Sequence, residues 1–245
     1  MLPKISIITV VRNDPQGLEM TLENLTHTDY PNLELVVIDG ASTDSTPRVA
    51  EHYSTHMAVY ISEKDSGIYD AMNKGLARAT GDYVWFVNAG DTILGTDRLV
   101  ELMTTDGRLA DIYYGEAVVV SPSGERLGLR RKPLPRQLTW RSLRRGMVVC
   151  HQAFIVRRTI ATPYNLKYHY AADIEWQIEC LRRSKNVQFT GVELCRFATG
   201  GVSTAHRRES LKERWAIMRT HYGLASTVFS HLRFIFDALT TTRYR

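Results

Sequence analysis

Ile5-Ser6-Ile7-Ile8-Thr9-Val10-Val11-Arg12-Asn13-Asp14-Pro15 is a β-branched, apolar run that breaks into a polar loop at Arg12. Seven residues rich in Ile and Val, with no polar alternation, read as a strand buried on both faces. Asp14-Pro15 then reads as an N-cap followed by proline at the first helical position, opening a helix to about Thr26. The unit repeats outward from there. Leu33 to Ile38 is a second strand, Asp39 to Asp44 turns into a helix to about Tyr53, and Ala58 to Ser62 is a third strand. Ile68 to Ala79 is helical, with Ile68, Met72, Gly75/Leu76 and Ala79 on one side, and Tyr83 to Val87 is a strand ending in Asn88-Ala89-Gly90-Asp91. Strands alternating with helices predict an α/β fold with a mostly parallel sheet, and polar clusters at the strand ends mark the edge where such sheets bind ligands.

After Asp91 the pattern becomes α+β. A helix capped by Thr96 runs to about Thr104; Asp111 to Val120 and Glu125 to Arg131 read as strands around a Ser121-Pro122-Ser123-Gly124 turn. The basic stretch to Arg145 reads as loop with a short helix, and Val148 to Arg157 as β broken at His151-Gln152. Asp173 to Arg183 is a helix with Ile174, Ile178 and Leu181 inward, followed by short strands near Val187 to Thr190 and Leu194 to Ala198. Two helices finish the chain, Glu209 to Tyr222 and Ser226 to Leu239, with Gly223 between them.

Composition narrows the class. The 245 residues are 44% hydrophobic and 23% charged, which excludes disordered and coiled-coil chains. Cys150, Cys180 and Cys195 match neither a disulfide framework nor a CxxC site, so a reducing cytosol is expected. The first apolar run carries Ser6 and Thr9 and ends at Arg12, and is read as neither signal peptide nor anchor. The net charge of +5 lies in residues 207 to 245, and a second basic cluster runs from Arg126 through Arg130, Arg131, Lys132, Arg136, Arg141 and Arg144 to Arg145. Anionic partners are expected there; nucleic acid is not, because no binding motif accompanies the charge. GxGxxG after the first strand, GxxxxGK[ST], GxSxG and HExxH are all missing, so hydride transfer, P-loop, nucleophile-elbow and zincin chemistry drop out. Three carboxylates remain at strand or helix ends, Asp39, Asp91 and Asp173, a set suited to a hard cation and phosphates.

Ser6 to Asn13, Val37-Ile38-Asp39-Gly40-Ala41-Ser42-Thr43-Asp44, Asp65-Ser66-Gly67-Ile68-Tyr69-Asp70-Ala71-Met72-Asn73-Lys74-Gly75, Ala79-Thr80-Gly81-Asp82 and Phe86 to Asp91, in that order, resemble family 2 glycosyltransferases of the GT-A fold. Cys150-His151-Gln152-Ala153, Pro163 to Leu166, Ala172-Asp173 and Gly200-Gly201-Val202-Ser203 are similar to the subgroup making colanic acid and phenolic glycolipids. The resemblance covers about residues 4 to 204.

It implies a nucleotide-sugar-binding half at 1–95, an acceptor-binding and catalytic half at 96–206, and basic amphipathic helices at 207–245. By resemblance, Asp39 binds the base, Thr9, Val11 and Arg12 frame base and ribose, and Lys74 lies near the donor. Asp65, Gly67, Asp70, Asn88 and Ala89 shape the donor-sugar pocket. Asp91 holds Mg2+ or Mn2+, with His206 a further ligand in some relatives, and Asp173 is the catalytic base, Glu175 pointing elsewhere. His151 and Gln152 contact diphosphate or acceptor, or His151 is a core histidine; the plainer alternatives are that Asp39 and Asp173 cap helices, that Asp91 is a turn aspartate capping the next segment, that Tyr69 packs, and that Lys74 is a solvated helix lysine. Asn88 and Gly90 stand where the family often has aspartate, leaving one carboxylate for the cation.

The expected enzyme is a metal-dependent, inverting transferase moving a sugar from a nucleotide-diphosphate sugar to a saccharide or lipid-linked saccharide for a cell-surface polysaccharide or glycolipid. The rival readings are a noncatalytic nucleotide-sugar or glycolipid-binding partner of the same fold and a nucleotidyltransferase. The tail helices carry one stripe of Leu211, Trp215, Met218 and Tyr222 and another of Val228, Leu232, Ile235 and Leu239. With Arg219, Arg233, Arg243 and Arg245 beside them, they are expected to serve as core, dimer contact or peripheral attachment to an anionic membrane surface on the cytoplasmic side.

Overall fold

A computed structural model describes residues 2–105, 108–130, 132–199 and 206–240, with 235–240 as backbone only. Gly200 to Ser203, Arg131, Arg243, Arg245 and the side chains of Ile235 and Leu239 fall outside that description.

The repeat read from the sequence forms as expected. Strands β1 (Ile5–Val11), β2 (Leu33–Asp39), β3 (Val59–Ser62) and β4 (Tyr83–Phe86) are mutually parallel, with helices α1 (Pro15–Thr26), α2 (Thr46–His52) and α3 (Ile68–Arg78) between them. Asp14 caps α1, its side chain accepting from the Gly17 N–H at 2.9 Å. Gly67 caps α3 at φ 129°, a conformation that favours glycine.

Beyond β4 lie β5 (Thr92–Ile93), α4 (Thr96–Thr104), β6 (Ile112–Val120), β7 (Arg126–Leu129), β8 (Phe154–Arg157), α5 (Ala172–Arg183) and β9 (Val187–Ala198). The helices α6 (Arg207–Tyr222) and α7 (Leu224–Thr240) follow. All nine strands join one sheet, ordered β3-β2-β1-β4-β8-β6-β9-β5, with β7 on β6. Thus the proposed donor and acceptor halves share a sheet through the antiparallel β4–β8 pair.

Four local readings are corrected. The two short strands expected at 187–198 are one, because Gly191 at φ 80° and a register shift opposite Glu116 absorb the break. The two-residue β5 was too short to give a pattern. Of Val148 to Arg157 only Phe154–Arg157 is strand. Gly95, left-handed at φ 62°, caps α4, and Thr96 is buried inside it, where its hydroxyl accepts from that of Thr28.

The sheet is covered on both faces, which is why β1 is apolar throughout. Ile8, Val36, Val84 and Phe86 pack under α3 and α5; Ile5, Ile7, Tyr83 and Trp85 form a second layer with Leu99 and Met103 of α4. Each fully buried Ile or Val contributes about 1.5–3 kcal/mol. Among the described residues no helix is long and apolar enough to cross a membrane.

Candidate functional site

The strand order places β2 and β4 on opposite sides of β1, so the loops leaving them splay apart and open a crevice at the strands' C-terminal edge. Val11 lies opposite Asp39 in register, and the Ala89 N–H donates to the Val10 carbonyl at 3.2 Å, which sets the Asn88–Asp91 turn against the end of β1. A cavity of about 590 Å³ opens there. Val11, Arg12, Asp65, Gly67, Tyr69 and Asp70 line one side, and Tyr168, His169, Tyr170 and His206 the other. A Cβ at Gly40 would strike the Asp65 carboxylate and lie 3.2 Å from Arg12 Cδ, so Gly40 permits that convergence. Asn13 and Ala41 adopt φ of 51° and 56° in the same loops, local strain of the kind concentrated at functional sites.

Asp39 is fully buried. Its carboxylate accepts from the Ser42 N–H and hydroxyl at 3.1 and 2.5 Å and from the Ser62 hydroxyl at 2.6 Å. It therefore shapes the β2 loop, whereas Asp44 serves the start of α2 by accepting from the Thr46 N–H at 2.9 Å. Thr9 is buried beside it in the sheet, and its hydroxyl has no hydrogen-bond partner among the described residues.

Asp91 is 7% exposed. Burial pushes its carboxyl up to about 8, against the opposing pull of the Gln152 amide, which donates to it at 2.9 Å. The Cys150 thiol donates to the other end of Gln152 at 3.0 Å. Asn88 Oδ1 is buried with no hydrogen-bond partner among the described residues. An isolated buried carboxylate and an unsatisfied amide oxygen in one turn are hard donors that fit Mg2+ or Mn2+. Ala89 packs beside them against the α1–α2 layer. His206 lies elsewhere on the cavity wall, stacked on Tyr170 at 4.6 Å.

Asp173 sits in the first turn of α5, half-buried. Burial raises its pKa; the Arg214 cation, the Ile174 N–H, the Tyr69 hydroxyl and the Arg130 cation act against that rise. The Tyr69 hydroxyl, which lowers the Asp173 pKa, connects Asp173 to the cavity wall. Glu175 faces His221 instead, at 3.6 Å. Asp39 and Asp91 follow the C-terminal ends of β2 and β4 and Asp173 opens α5; among the described residues no group of three His, Cys, Asp or Glu able to hold a metal occurs, so the three acids have separate surroundings. Serines take Asp39 and a tyrosine takes Asp173, leaving Asp91 as the acid without a cation or hydroxyl.

His151 takes the core alternative. It is 5% exposed among Phe86, Tyr164 and Trp176, its Nε2 lies 2.5 Å from the Tyr164 hydroxyl, and burial lowers its pKa to about 4, so it is neutral near pH 7. Lys74 spends its charge locally, donating to the Lys64 carbonyl at 2.7 Å and pairing with Glu63 at 2.9 Å.

Sequence reasoning missed the residues that hold the far wall. Asn73 of α3 clamps the backbone of Tyr164, donating to its carbonyl at 2.9 Å and accepting from its N–H at 2.6 Å. Glu213 of α6 accepts from the N–H groups of His169 and Tyr170, both at 2.8 Å. Arg214 stands beside Asp173 with its Nε buried and lacking a hydrogen-bond partner among the described residues. Asn73 lay inside a quoted motif; Glu213 and Arg214 gave no signal beyond charge in a helix. Asn73→Ala is expected to cost about 1–3 kcal/mol, because it strands two backbone groups of Tyr164. Urea unfolding checks this, and an unchanged midpoint would remove the clamp.

The comparisons agree with this architecture. Residues 6–162 match the model of Glycosyl transferase family 2. An uncharacterised glycosyltransferase of Mycobacterium tuberculosis is 32% identical over 216 residues, covering 85% of this chain and 79% of that one. A PGL/p-HBAD biosynthesis glycosyltransferase of Mycobacterium bovis is 31% identical over 189 residues, covering 73% of this chain and 70% of that one. The crystal structure of S. aureus TarS 1–349 superposes with a TM-score of 0.71 at 18% identity, covering 97% of this chain and 73% of that one. The mannosyltransferase PcManGT from Pyrobaculum calidifontis, solved with GDP-Man and Mn2+, gives a TM-score of 0.62 at 16% identity, covering 99% of this chain and 77% of that one. These neighbours share the GT-A fold. With well over half of its length inside the family model, the chain belongs to glycosyl transferase family 2.

Proposed function

We propose that this glycosyltransferase moves a sugar, with inversion, from a nucleotide-diphosphate sugar to a hydroxyl of a saccharide or lipid-linked saccharide. The observation that carries the reading is the crevice at the C-terminal end of β1, whose Val10 carbonyl holds the Asn88–Asp91 turn through the Ala89 N–H and whose wall residue Tyr69 lies beside Asp173. Residues 1–95 hold the donor: Asp39 and the β1 end receive the nucleoside, while Asp65, Gly67 and Asp70 border the sugar. Residues 96–206 supply the base and the acceptor wall. Asp91, with the Asn88 amide oxygen, would hold Mg2+ or Mn2+, which supplies positive charge for the departing diphosphate.

In a single displacement the acceptor oxygen forms its bond to the anomeric carbon as the bond from that carbon to the diphosphate oxygen breaks. Asp173 takes the hydroxyl proton, and the diphosphate leaves with the electron pair. Its burial strengthens it as a base, while the Ile174 N–H, donating at 2.9 Å, orients its carboxylate beside the Tyr69 hydroxyl. Positioning by the two cavity walls provides much of the rate.

A panel of UDP-, GDP- and dTDP-sugars tested by thermal shift should contain at least one that raises the unfolding midpoint, because a donor binds the folded chain alone. That donor, incubated with a saccharide or lipid-linked acceptor, should release a nucleoside diphosphate. Binding with no release under any acceptor would favour the noncatalytic partner, and release of pyrophosphate would favour nucleotidyl transfer.

A further inference from the structure

The two C-terminal helices use their apolar stripes in opposite ways. On α6, Met218 is buried, Trp215 packs on His231, and Tyr222 stacks on Trp140 at 5.5 Å, so that stripe turns inward except at Leu211, which is 48% exposed. On α7 the arrangement is inside out. The residues turned toward the body include Thr227, fully buried, and Ser230, 9% exposed. His231 and Phe234 complete that side, with Lys132 over the Phe234 ring at 4.3 Å. The opposite face shows Leu224, Val228, Phe229 and Leu232 at 59, 41, 71 and 63% exposure. Helical spacing continues that row in the sequence through Ile235, Phe236 and Leu239. Such a face is larger and more continuous than scattered surface apolar residues.

Charge selects the occupant. Arg233 is exposed on α7 and Arg219 on α6. Arg141, Arg144 and Arg145 are exposed on the 3-10 turn Trp140–Arg145, whose following Gly146 lies against Phe234. Opposing acids are few: Glu213 is committed to the loop amides, Glu175 and Glu179 of α5 face His221, leaving Glu209 and Asp237 on the two helices, and no Asp or Glu occurs between Glu125 and Asp173. A second copy joined across a twofold axis would bring this cationic rim against itself. An anionic bilayer answers both features, taking the apolar row into its interface and the arginines onto its headgroups.

We propose that α7 is a membrane-docking helix whose Leu224–Val228–Phe229–Leu232 face enters the interface of an anionic bilayer. Its 17 residues span about 25 Å, lying along the surface rather than crossing it. This goes beyond sugar transfer and stands whether or not that reading holds.

Co-sedimentation of the full chain with vesicles tests it. The chain should bind vesicles of phosphatidylcholine mixed with phosphatidylglycerol, bind phosphatidylcholine alone far less, and lose binding as salt rises. The Phe229→Glu/Leu232→Glu double variant changes exposed positions only, so it should keep the circular dichroism spectrum and lower vesicle partitioning at least about tenfold. Arg233→Glu should weaken binding to the anionic vesicles alone. Failure of the wild-type chain to sediment, equal partitioning of the double variant, or a dimer in analytical ultracentrifugation that the double variant dissolves would each overturn the proposal.

Discussion

Replacing Asp173 by Asn is expected to lower the transfer rate about 10²–10⁴-fold, the usual contribution of a positioned general base, while donor affinity stays within about twofold. Asn keeps the shape of the side chain and an oxygen for the Ile174 N–H to donate to, so the cavity wall should hold. The variant removes a carboxylate whose burial disfavours its charge, and the fold should lose little stability. The wild-type enzyme should also lose activity on the acid side as Asp173 becomes protonated. Because burial raises that pKa, the loss should begin above the ordinary carboxylate range. Steady-state kinetics across pH, beside calorimetry with the donor, reads both effects. A variant as fast as the wild type would remove Asp173 from the reaction.

Asp91→Asn should separate stability from activity. Without a cation the folded carboxyl has a pKa near 8, against about 3.9 in the unfolded chain. The folded state therefore binds more protons between those values, so stability that is complete below about pH 4 is lost as pH rises toward 8. Asn carries no charge at any of these pH values, and the variant should unfold at a higher temperature than the wild type near pH 8 without added metal. Added Mn2+ should raise the wild-type midpoint and leave the variant unchanged. Transfer should fall about 10²–10³-fold, the scale of losing one electrostatic stabiliser of the departing group. A variant that still responds to Mn2+ would place the cation on other residues.

Much of this fold was written in periodicity. The run Ile5–Val11 had to be buried on both faces, and the Asp14-Pro15 pair had to open a helix, because neither pattern has another economical conformation. The same strand–helix alternation located Asp39, Asn88 and Asp91 at one edge before any coordinate was known. Boundaries slipped where the signal was thin: two residues cannot show a period at Thr92–Ile93, and Gly191 looks like a break until its partner strand supplies the bulge.

Side-chain allegiance was less legible. Nothing in the spacing of Cys150-His151-Gln152 tells that the histidine enters an aromatic cluster while its neighbour reaches Asp91. Asn73 and Glu213 bond to backbone groups 91 and 43–44 positions away, which no local pattern encodes.

The sequence by itself determined most of the order of strands and helices and the sheet edge that carries Asp39 and Asp91, because these follow from short-range sterics and from hydrophobic repetition, while its motifs carried the resemblance to the family. Only the tertiary structure decided that Asp39 is satisfied by serines, that Asp91 is desolvated with the Gln152 amide beside it, and that α6 packs inward while α7 presents Phe229 and Leu232 to solvent. Those outcomes depend on which distant groups share a buried space, and pairing and desolvation exist only once the chain has closed around them.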